Sequence, residues 1–178
     1  NTGSGTFDAG NGITWPNAYG NVALGSDALY ANTTGSYNTA IGTSSLRNLV
    51  SSINNVAVGI DALHTNTSGG DNTALGAYAL KKSTGSQEVA VGSHALQNNT
   101  TGGGNTALGS WALYQSITGS QNTALGDQSG YNSTSNSSKN TFVGFKSDSV
   151  SGTYITNSIA FGANAIVTTS NTIQLGSA

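Results

Sequence analysis

A five-residue element recurs along the chain, and this recurrence constrains the fold more than any other feature of the sequence. One copy reads Asn-Thr-Ala-Leu-Gly at residues 105–109, and seven close copies, this one included, lie between Asn21 and Gly126. The closing glycines are 16 to 18 residues apart, until a last spacing of 14 before Gly176. A fixed period of this size is typical of repeat proteins, in which each unit is stabilised by stacking on its neighbours.

Within each copy, apolar side chains alternate in the way that a β-strand requires. We number the element from Asn (position 1) to Gly (position 5). Position 3 is Ala in all seven copies, position 2 is Val or Thr, and position 4 is Leu, Ile or Val. Alternation with a period of two predicts a strand with positions 2 and 4 on one side and position 3 on the other. The glycine predicts the turn that ends the strand.

A second apolar pair, such as Ala112-Leu113, follows each glycine by two or three residues, and a polar arm such as Thr118-Gly119-Ser120 then leads to the next copy. We interpret the pair as a second short strand or a single turn whose Leu packs against positions 2 and 4 inside the coil. The glycine and serine of the arm predict the return turn.

These units predict an all-β fold, a parallel β-roll or β-solenoid of about ten coils with about 17 residues each. Residues 1–20 are interpreted as an N-terminal cap, in which Trp15-Pro16 covers the open end of the stack, or as a degenerate first coil; a simple chain boundary is the alternative. Residues 21–126 form the regular repeats. Residues 127–178 are irregular coils that are expected to lead into a following fibre segment.

The alanine row suggests that more than one chain is involved. Ala is a poor strand former, so a row of alanines on an outer face indicates a surface that must stay both small and apolar, as close packing of a second backbone requires. Cyclic symmetry is the usual arrangement of identical chains, and we expect a homotrimer. The alternative is a row that faces the chain's own loop. The expected trimer contacts are Ala23, Ala40, Ala57, Ala74, Ala90, Ala107, Ala124, Phe142 and Ala160.

The pattern Asn-Thr/Val-Ala-Leu/Ile-Gly-x-x-Ala-Leu, with Thr-Gly-Ser before the next Asn, resembles the haemagglutinin-type head repeat of trimeric autotransporter adhesins, the YadA-like parallel β-roll. The longer period of about 17 residues is similar to repeats of bacterial surface fibres and of phage tail fibres that end in an endosialidase-type chaperone domain. The resemblance covers residues 21–176. It implies a trimer of β-rolls used for attachment, located outside the cell on a bacterial surface or on a virion tail fibre.

Composition argues against several other classes of function. Five Lys and Arg residues are too few for a phosphate-binding surface, so we expect no nucleic-acid partner. No apolar run approaches the roughly 18 residues of a membrane span. His64 and His94 occupy different positions of the repeat and form no shared site, and the scattered acidic residues offer no evident catalytic pair. We therefore expect no enzymatic activity, no cofactor and no metal site.

The most variable outward positions are 7 and 10, two and five residues after the glycine. Coils stack about 4.8 Å apart, so position 7 predicts Tyr78, His94 and Trp111 on consecutive rungs of one ladder, with Tyr114 at position 10. Rigid aromatic rings could stack on a sugar or contact a receptor. The alternative is that they only cover the corner of the coil.

The leading hypothesis is a non-enzymatic fibre segment that attaches to a cell surface or glycan receptor. A purely structural spacer or filament-forming subunit without a ligand is the alternative. A third hypothesis, an ice-binding solenoid, would need a regular Thr ladder, and the pairs Thr33-Thr34 and Thr100-Thr101 recur too irregularly for one.

Overall fold

The computed structural model describes residues 7–8, 18–133 and 135–176, which leaves Trp15 and Pro16, the residues of the predicted cap, outside the described part of the chain. Every regular element in the described residues is a short β-strand. The strands are β1 (Phe7–Asp8), β2 (Val22–Leu24), β3 (Thr39–Ile41), β4 (Val56–Val58), β5 (Thr73–Leu75), β6 (Val89–Val91), β7 (Thr106–Leu108), β8 (Thr123–Leu125), β9 (Thr141–Val143), β10 (Asp148–Ser149), β11 (Ile159–Phe161), β12 (Ile166–Val167) and β13 (Ile173–Leu175).

Eleven of these strands stack in sequence order into one parallel sheet, β1 to β9 followed by β11 and β13. Each strand pairs with the same positions of the next copy, so that Ala107 of β7 lies beside Ala124 of β8. The short strands β10 and β12 pair separately, also in parallel. The prediction of an all-β parallel solenoid with a period near 17 residues is confirmed. Phe7 pairs with Val22, which places residues 7–8 one rung before the regular repeats.

The two faces of this sheet are the reverse of what we predicted. Position 3 points into the coil, and in β2 to β9 and β11 its side chains are at most 1% exposed in a single chain. Positions 2 and 4 point outward. The predicted trimer contact through position 3 is therefore wrong, because these side chains have no surface left to offer a second chain; the residues concerned are Ala23, Ala40, Ala57, Ala74, Ala90, Ala107, Ala124, Phe142 and Ala160.

The interior of the coil explains why position 3 is small. Each coil is so narrow that its strand faces its own Ala-Leu pair, and the Leu of that pair is fully buried, as Leu96 and Leu113 show. A Leu held in place by the following turn leaves room for only a methyl group opposite it. The alternative that the alanines face the chain's own loop is the correct one, and the Leu packs against position 3 rather than against positions 2 and 4.

In one coil the large and small residues are reversed: the Leu position carries a small residue, and position 3 of the next strand carries a large one. We call this pairing of one large with one small residue the size rule. Gly130 occupies the position of the buried Leu, and the Ala of the next strand is replaced by Phe142, which is fully buried. A Cβ atom built on Gly130 would lie 2.8 Å from both Leu113 Cδ2 and Phe142 Cδ2. The aromatic ring therefore fills the volume that the missing Leu side chain leaves, and the core stays close-packed.

The closing glycine of each element is required by the approach of the next coil. Gly109 has a φ of +143°, a backbone conformation that residues other than glycine rarely adopt. A Cβ atom on it would lie 2.2 Å from the carbonyl oxygen of Gly126 in the next coil. The spacing of the coils at this corner therefore depends on the absence of a side chain.

A ladder of buried side-chain amides runs through the stack at position 1. The Oδ1 of each Asn accepts a hydrogen bond from the backbone N–H one coil later, for example Asn38 N–H to Asn21 (2.8 Å) and Asn122 N–H to Asn105 (2.9 Å). The side-chain amide donates to a carbonyl of the returning arm, as Asn105 does to Gly119 (2.8 Å). The ladder satisfies backbone groups that the narrow coil could not otherwise pair.

Glu88 interrupts this ladder with a carboxyl group that is also fully buried. Its Oε2 accepts a hydrogen bond from the Ser83 hydroxyl (2.6 Å), and its Oε1 accepts one from the Asn105 side-chain amide (3.0 Å). Burial raises the pKa of Glu88 to about 7, and the two hydrogen bonds only partly oppose that rise.

Candidate functional site

Position 7 lies at a corner where the backbone adopts a left-handed conformation. Tyr78, His94 and Trp111 have φ values of 62°, 61° and 59°. Large side chains rarely adopt this region, and a run of them in one row carries a conformational cost that the surrounding backbone ladder must offset. The strained corner turns each ring outward and holds it above the next coil.

The three rings form the continuous stack that the sequence predicted. The centroids of Tyr78 and His94 are 5.0 Å apart with the planes inclined by 21°, and those of His94 and Trp111 are 4.1 Å apart at 13°. All three side chains are partly exposed. Their role in binding a ligand stays a prediction.

A second pair of rings extends this stack at position 10. Trp111 meets Tyr114 at 4.7 Å in a tilted contact, and Tyr114 stacks on Tyr131 at 5.4 Å with the planes inclined by only 11°. We call Tyr78, His94, Trp111, Tyr114 and Tyr131 the aromatic cluster. Tyr131 was not among the predicted site residues, although it stands at position 10 of the next copy after Tyr114 and could have been read from the same row.

Polar neighbours fix the orientation of the cluster. The His94 Nδ1–H donates a hydrogen bond to the Gln97 side-chain oxygen, which sets the tilt of the imidazole. The Lys81 ammonium lies 5.0 Å from the centroid of Tyr78 and 2.9 Å from Asp61, so it joins one end of the cluster to a carboxylate. Such contacts preorganise the rings and reduce the entropy that a ligand would have to remove on binding.

His64 and Asp61 form a separate contact near that end. The His64 Nδ1 lies 3.3 Å from the Asp61 carboxylate. Burial lowers the pKa of His64, and Asp61 opposes this effect, so the imidazole is mostly neutral at neutral pH. His64 and His94 stand at positions 10 and 7 of different coils, as their places in the sequence imply.

A depression opens beyond the cluster, on the side of the later coils. Its volume is about 480 Å³, and its lining combines polar, charged and apolar side chains that sequence analysis did not single out. A smaller hollow of about 190 Å³, lined by Trp111, Gln128 and Tyr131, connects the aromatic cluster to it. The lining residues of the large depression are Gln128, Tyr131, Asn132, Lys146, Asp148, Ser149, Val150, Ser151, Asn164 and Ile166.

The second surface that stands out is the outward face of the sheet, which we call the sheet face. It consists of positions 2 and 4 of the strands β2 to β9, β11 and β13, and these positions carry only Thr and aliphatic or aromatic side chains. At position 4, Leu24 is 45% exposed, Leu125 is 49% exposed and Phe161 is 55% exposed. At about 4.8 Å per rung the sheet face is roughly 50 Å long, and its area is on the order of 500 Å².

The described residues contain no group of three or more His, Asp or Glu side chains that could hold a metal ion. They also contain no helix of the length and hydrophobicity needed to cross a membrane. No protein-family model, no curated protein and no solved structure matches the chain.

Proposed function

We propose that this chain is a non-enzymatic segment of an extracellular attachment fibre, in which three copies assemble through the sheet face and present their aromatic clusters outward. The single observation that carries the proposal is the sheet face itself. All-parallel sheets are nearly always covered on both faces, and here the coil covers only the inner one.

Copies of the same chain are the occupant that fits the sheet face best. Its side chains carry no charge along its length, and an apolar surface of about 500 Å² is at the upper end of what monomeric proteins expose. A second copy has the same rung spacing, so that the two faces can match side chain for side chain along the whole stack. The choice of three copies around one axis comes from the resemblance to trimeric adhesin repeats.

This assembly replaces the predicted alanine interface with one built from the opposite side of the same strands. Position 4 provides the largest side chains, and they would meet at the common axis, with the Thr and Val residues of position 2 beside them. The residues concerned at position 4 are Leu24, Ile41, Val58, Leu75, Val91, Leu108, Leu125, Val143, Phe161 and Leu175.

A charge placed on the sheet face tests the assembly. Leu108→Lys would put an ammonium group into the apolar contact in every copy, and we expect it to convert the assembly into single chains on gel filtration. Gln115→Lys is the matched control, because Gln115 is exposed and lies outside the sheet. An assembly that withstands Leu108→Lys and Leu75→Lys would contradict the proposed interface.

The attachment role is supported by the aromatic cluster, which a spacer does not need. Three of its rings, those of Tyr78, His94 and Trp111, are held at a strained corner, and all five are partly exposed. The cluster is repeated on each copy of the chain, an arrangement that gives avidity when several copies bind at once. We expect Trp111→Ala to weaken binding of the fibre to its target cells while the assembly stays intact. Tyr30→Ala, which removes an exposed ring far from the cluster, is the control.

Two results would count against attachment. Equal binding by the wild type and Trp111→Ala would remove the cluster as the site. Failure of the intact assembly to bind any glycan-bearing cell surface would favour the alternative hypothesis of a structural spacer.

A further inference from the structure

The depression beside the aromatic cluster exists because a ladder of large side chains stops there. Position 10 carries Tyr114 and then Tyr131, whose rings stack at 5.4 Å. In the next coil the equivalent residue is Ser149, a small side chain that is only 2% exposed. One face of Tyr131 therefore rests on Tyr114, and the other face borders the depression, where the remaining lining comes mainly from the later coils.

The lining of the depression also includes a buried carboxylate. Asp148 is 5% exposed; its Oδ2 accepts a hydrogen bond from the Asn132 backbone N–H (2.8 Å) and its Oδ1 accepts one from the Ser149 backbone N–H (2.8 Å). The Asn132 side chain also hydrogen-bonds this carboxylate, which leaves about one of its four lone-pair sites for a ligand. Burial raises the pKa of Asp148 to about 6, so the carboxylate is largely ionised at pH 7.5.

Ser149 provides a second, independent indication of a ligand. Its hydroxyl oxygen is buried and has no hydrogen-bond partner among the described residues, although the residue lines the depression. A buried hydroxyl without a partner costs on the order of 1–3 kcal/mol, a cost that a polar ligand group in the depression would relieve.

We propose that this depression binds one hexopyranose residue of a neutral glycan, with the apolar face of the sugar stacked on Tyr131 and its hydroxyls bonded to Asp148 and Ser149. The ligand would occupy the place that a third aromatic ring would take above Tyr131 if Ser149 were aromatic. Side-chain amides at the rim, from Gln128, Asn132 and Asn164, both donate and accept hydrogen bonds, which matches the two-way capacity of sugar hydroxyls.

Size and charge favour a neutral sugar. A volume of about 480 Å³ lies within the range of small-ligand sites, which is about 300–1,000 Å³. The one cation in the lining, Lys146, is offset by Asp148, so an acidic sugar would gain one attraction and meet one repulsion. The inference rests on the proposed attachment function and adds the class of ligand and a second contact region next to the aromatic cluster.

Saturation-transfer NMR on the full chain at pH 7.5 tests the inference, with the methyl glycosides of glucose, galactose and mannose as probes. We expect transfer to the ring protons of at least one glycoside. Tyr131→Ala and Asn164→Ala should each weaken binding, the first by about tenfold through loss of the stacking face. Tyr30→Ala is the matched control, since Tyr30 stands at the same position of an earlier coil and faces Arg47.

Absence of transfer to all three glycosides would overturn the inference, and so would unchanged transfer in Tyr131→Ala. Asn164 is exposed, so Asn164→Ala keeps the test informative if Tyr131→Ala fails to fold. The result is separate from the test of attachment. Cell binding that depends on Trp111 without any glycoside binding would remove only the sugar pocket, whereas glycoside binding without cell binding would remove only the attachment function.

Discussion

Replacing Glu88 by Asn should stabilise the protein, and the gain should depend on pH. The carboxyl group is buried, and its pKa is raised from 4.5 to about 7. A carboxyl group with a raised pKa contributes stability that is fully present below pH 4.5 and is lost as the pH rises through 7. The loss approaches about 3.4 kcal/mol at high pH, since each unit of pKa corresponds to about 1.4 kcal/mol.

As the pH rises from 5 to 8.5, ionisation of Glu88 alone should lower the free energy of unfolding of the wild type by about 2.5 kcal/mol. Glu88→Asn removes this titration and restores the amide ladder. The new Oδ1 is expected to accept a hydrogen bond from the Asn105 backbone N–H, and the new amide should donate to the carbonyl of Gly102, as the equivalent groups do in the other coils.

The assay is urea denaturation of the wild type and Glu88→Asn at equal protein concentration, at pH 5 and at pH 8.5. The quantity to compare is the stability gained by the variant at each pH. Asp148, whose pKa is also raised, titrates in both proteins, so its contribution cancels in this difference. We expect the gain to be about 2.5 kcal/mol larger at pH 8.5. The same gain at both values would refute the reasoning, because it would mean that the buried carboxyl does not titrate as its surroundings require.

Three further predictions concern the interior and the corners of the coil. Gly109→Ala should destabilise the fold by several kcal/mol in thermal unfolding, because its Cβ would lie 2.2 Å from a carbonyl oxygen; a neutral result would mean that the coils can separate at that corner. Phe142→Ala should lower the free energy of unfolding by about 3–5 kcal/mol in urea denaturation, and adding Gly130→Leu should recover much of that loss. If the double variant is instead less stable than Phe142→Ala, the size rule, which pairs one large with one small residue, is contradicted. Gln121→Gly, at a φ of 59°, should stabilise by about 1 kcal/mol in chemical denaturation, as Gly104 already occupies the equivalent corner, and a loss of stability would show that the corner carries no strain.

The period and the alternation of the sequence were sufficient to predict the parallel solenoid, because a repeat can bury its apolar side chains only against its neighbours. They did not determine which side of the strand faces inward. Alternation places Ala on one side and Val or Leu on the other, and the usual preference for larger apolar residues inside favoured the wrong side. The narrow coil decides the matter, since a buried Leu on the far wall leaves room for only a methyl group.

The row of aromatic residues could be predicted because residues at one position of the repeat must stack. Tyr78, His94 and Trp111 follow directly from their spacing. The depression proposed to bind a sugar could not be predicted in this way, because it lies where the repeat becomes irregular: Gly130 stands in place of Leu, Phe142 stands in place of Ala, and Ser149 ends the row of large side chains. Asp148 lies at a position that carries Leu in the regular coils, and this departure, like those at Gly130, Phe142 and Ser149, is visible in the sequence but does not by itself indicate a pocket.

The mass of the chain in solution tests the central claim, that the sheet face is covered by other copies of the same chain. Sedimentation equilibrium gives this mass independently of shape. We expect three times the mass of one 17.8 kDa chain, maintained on dilution. A species with the mass of a single chain, at concentrations where the protein is folded, would mean that the sheet face remains exposed to water and would contradict the proposed assembly.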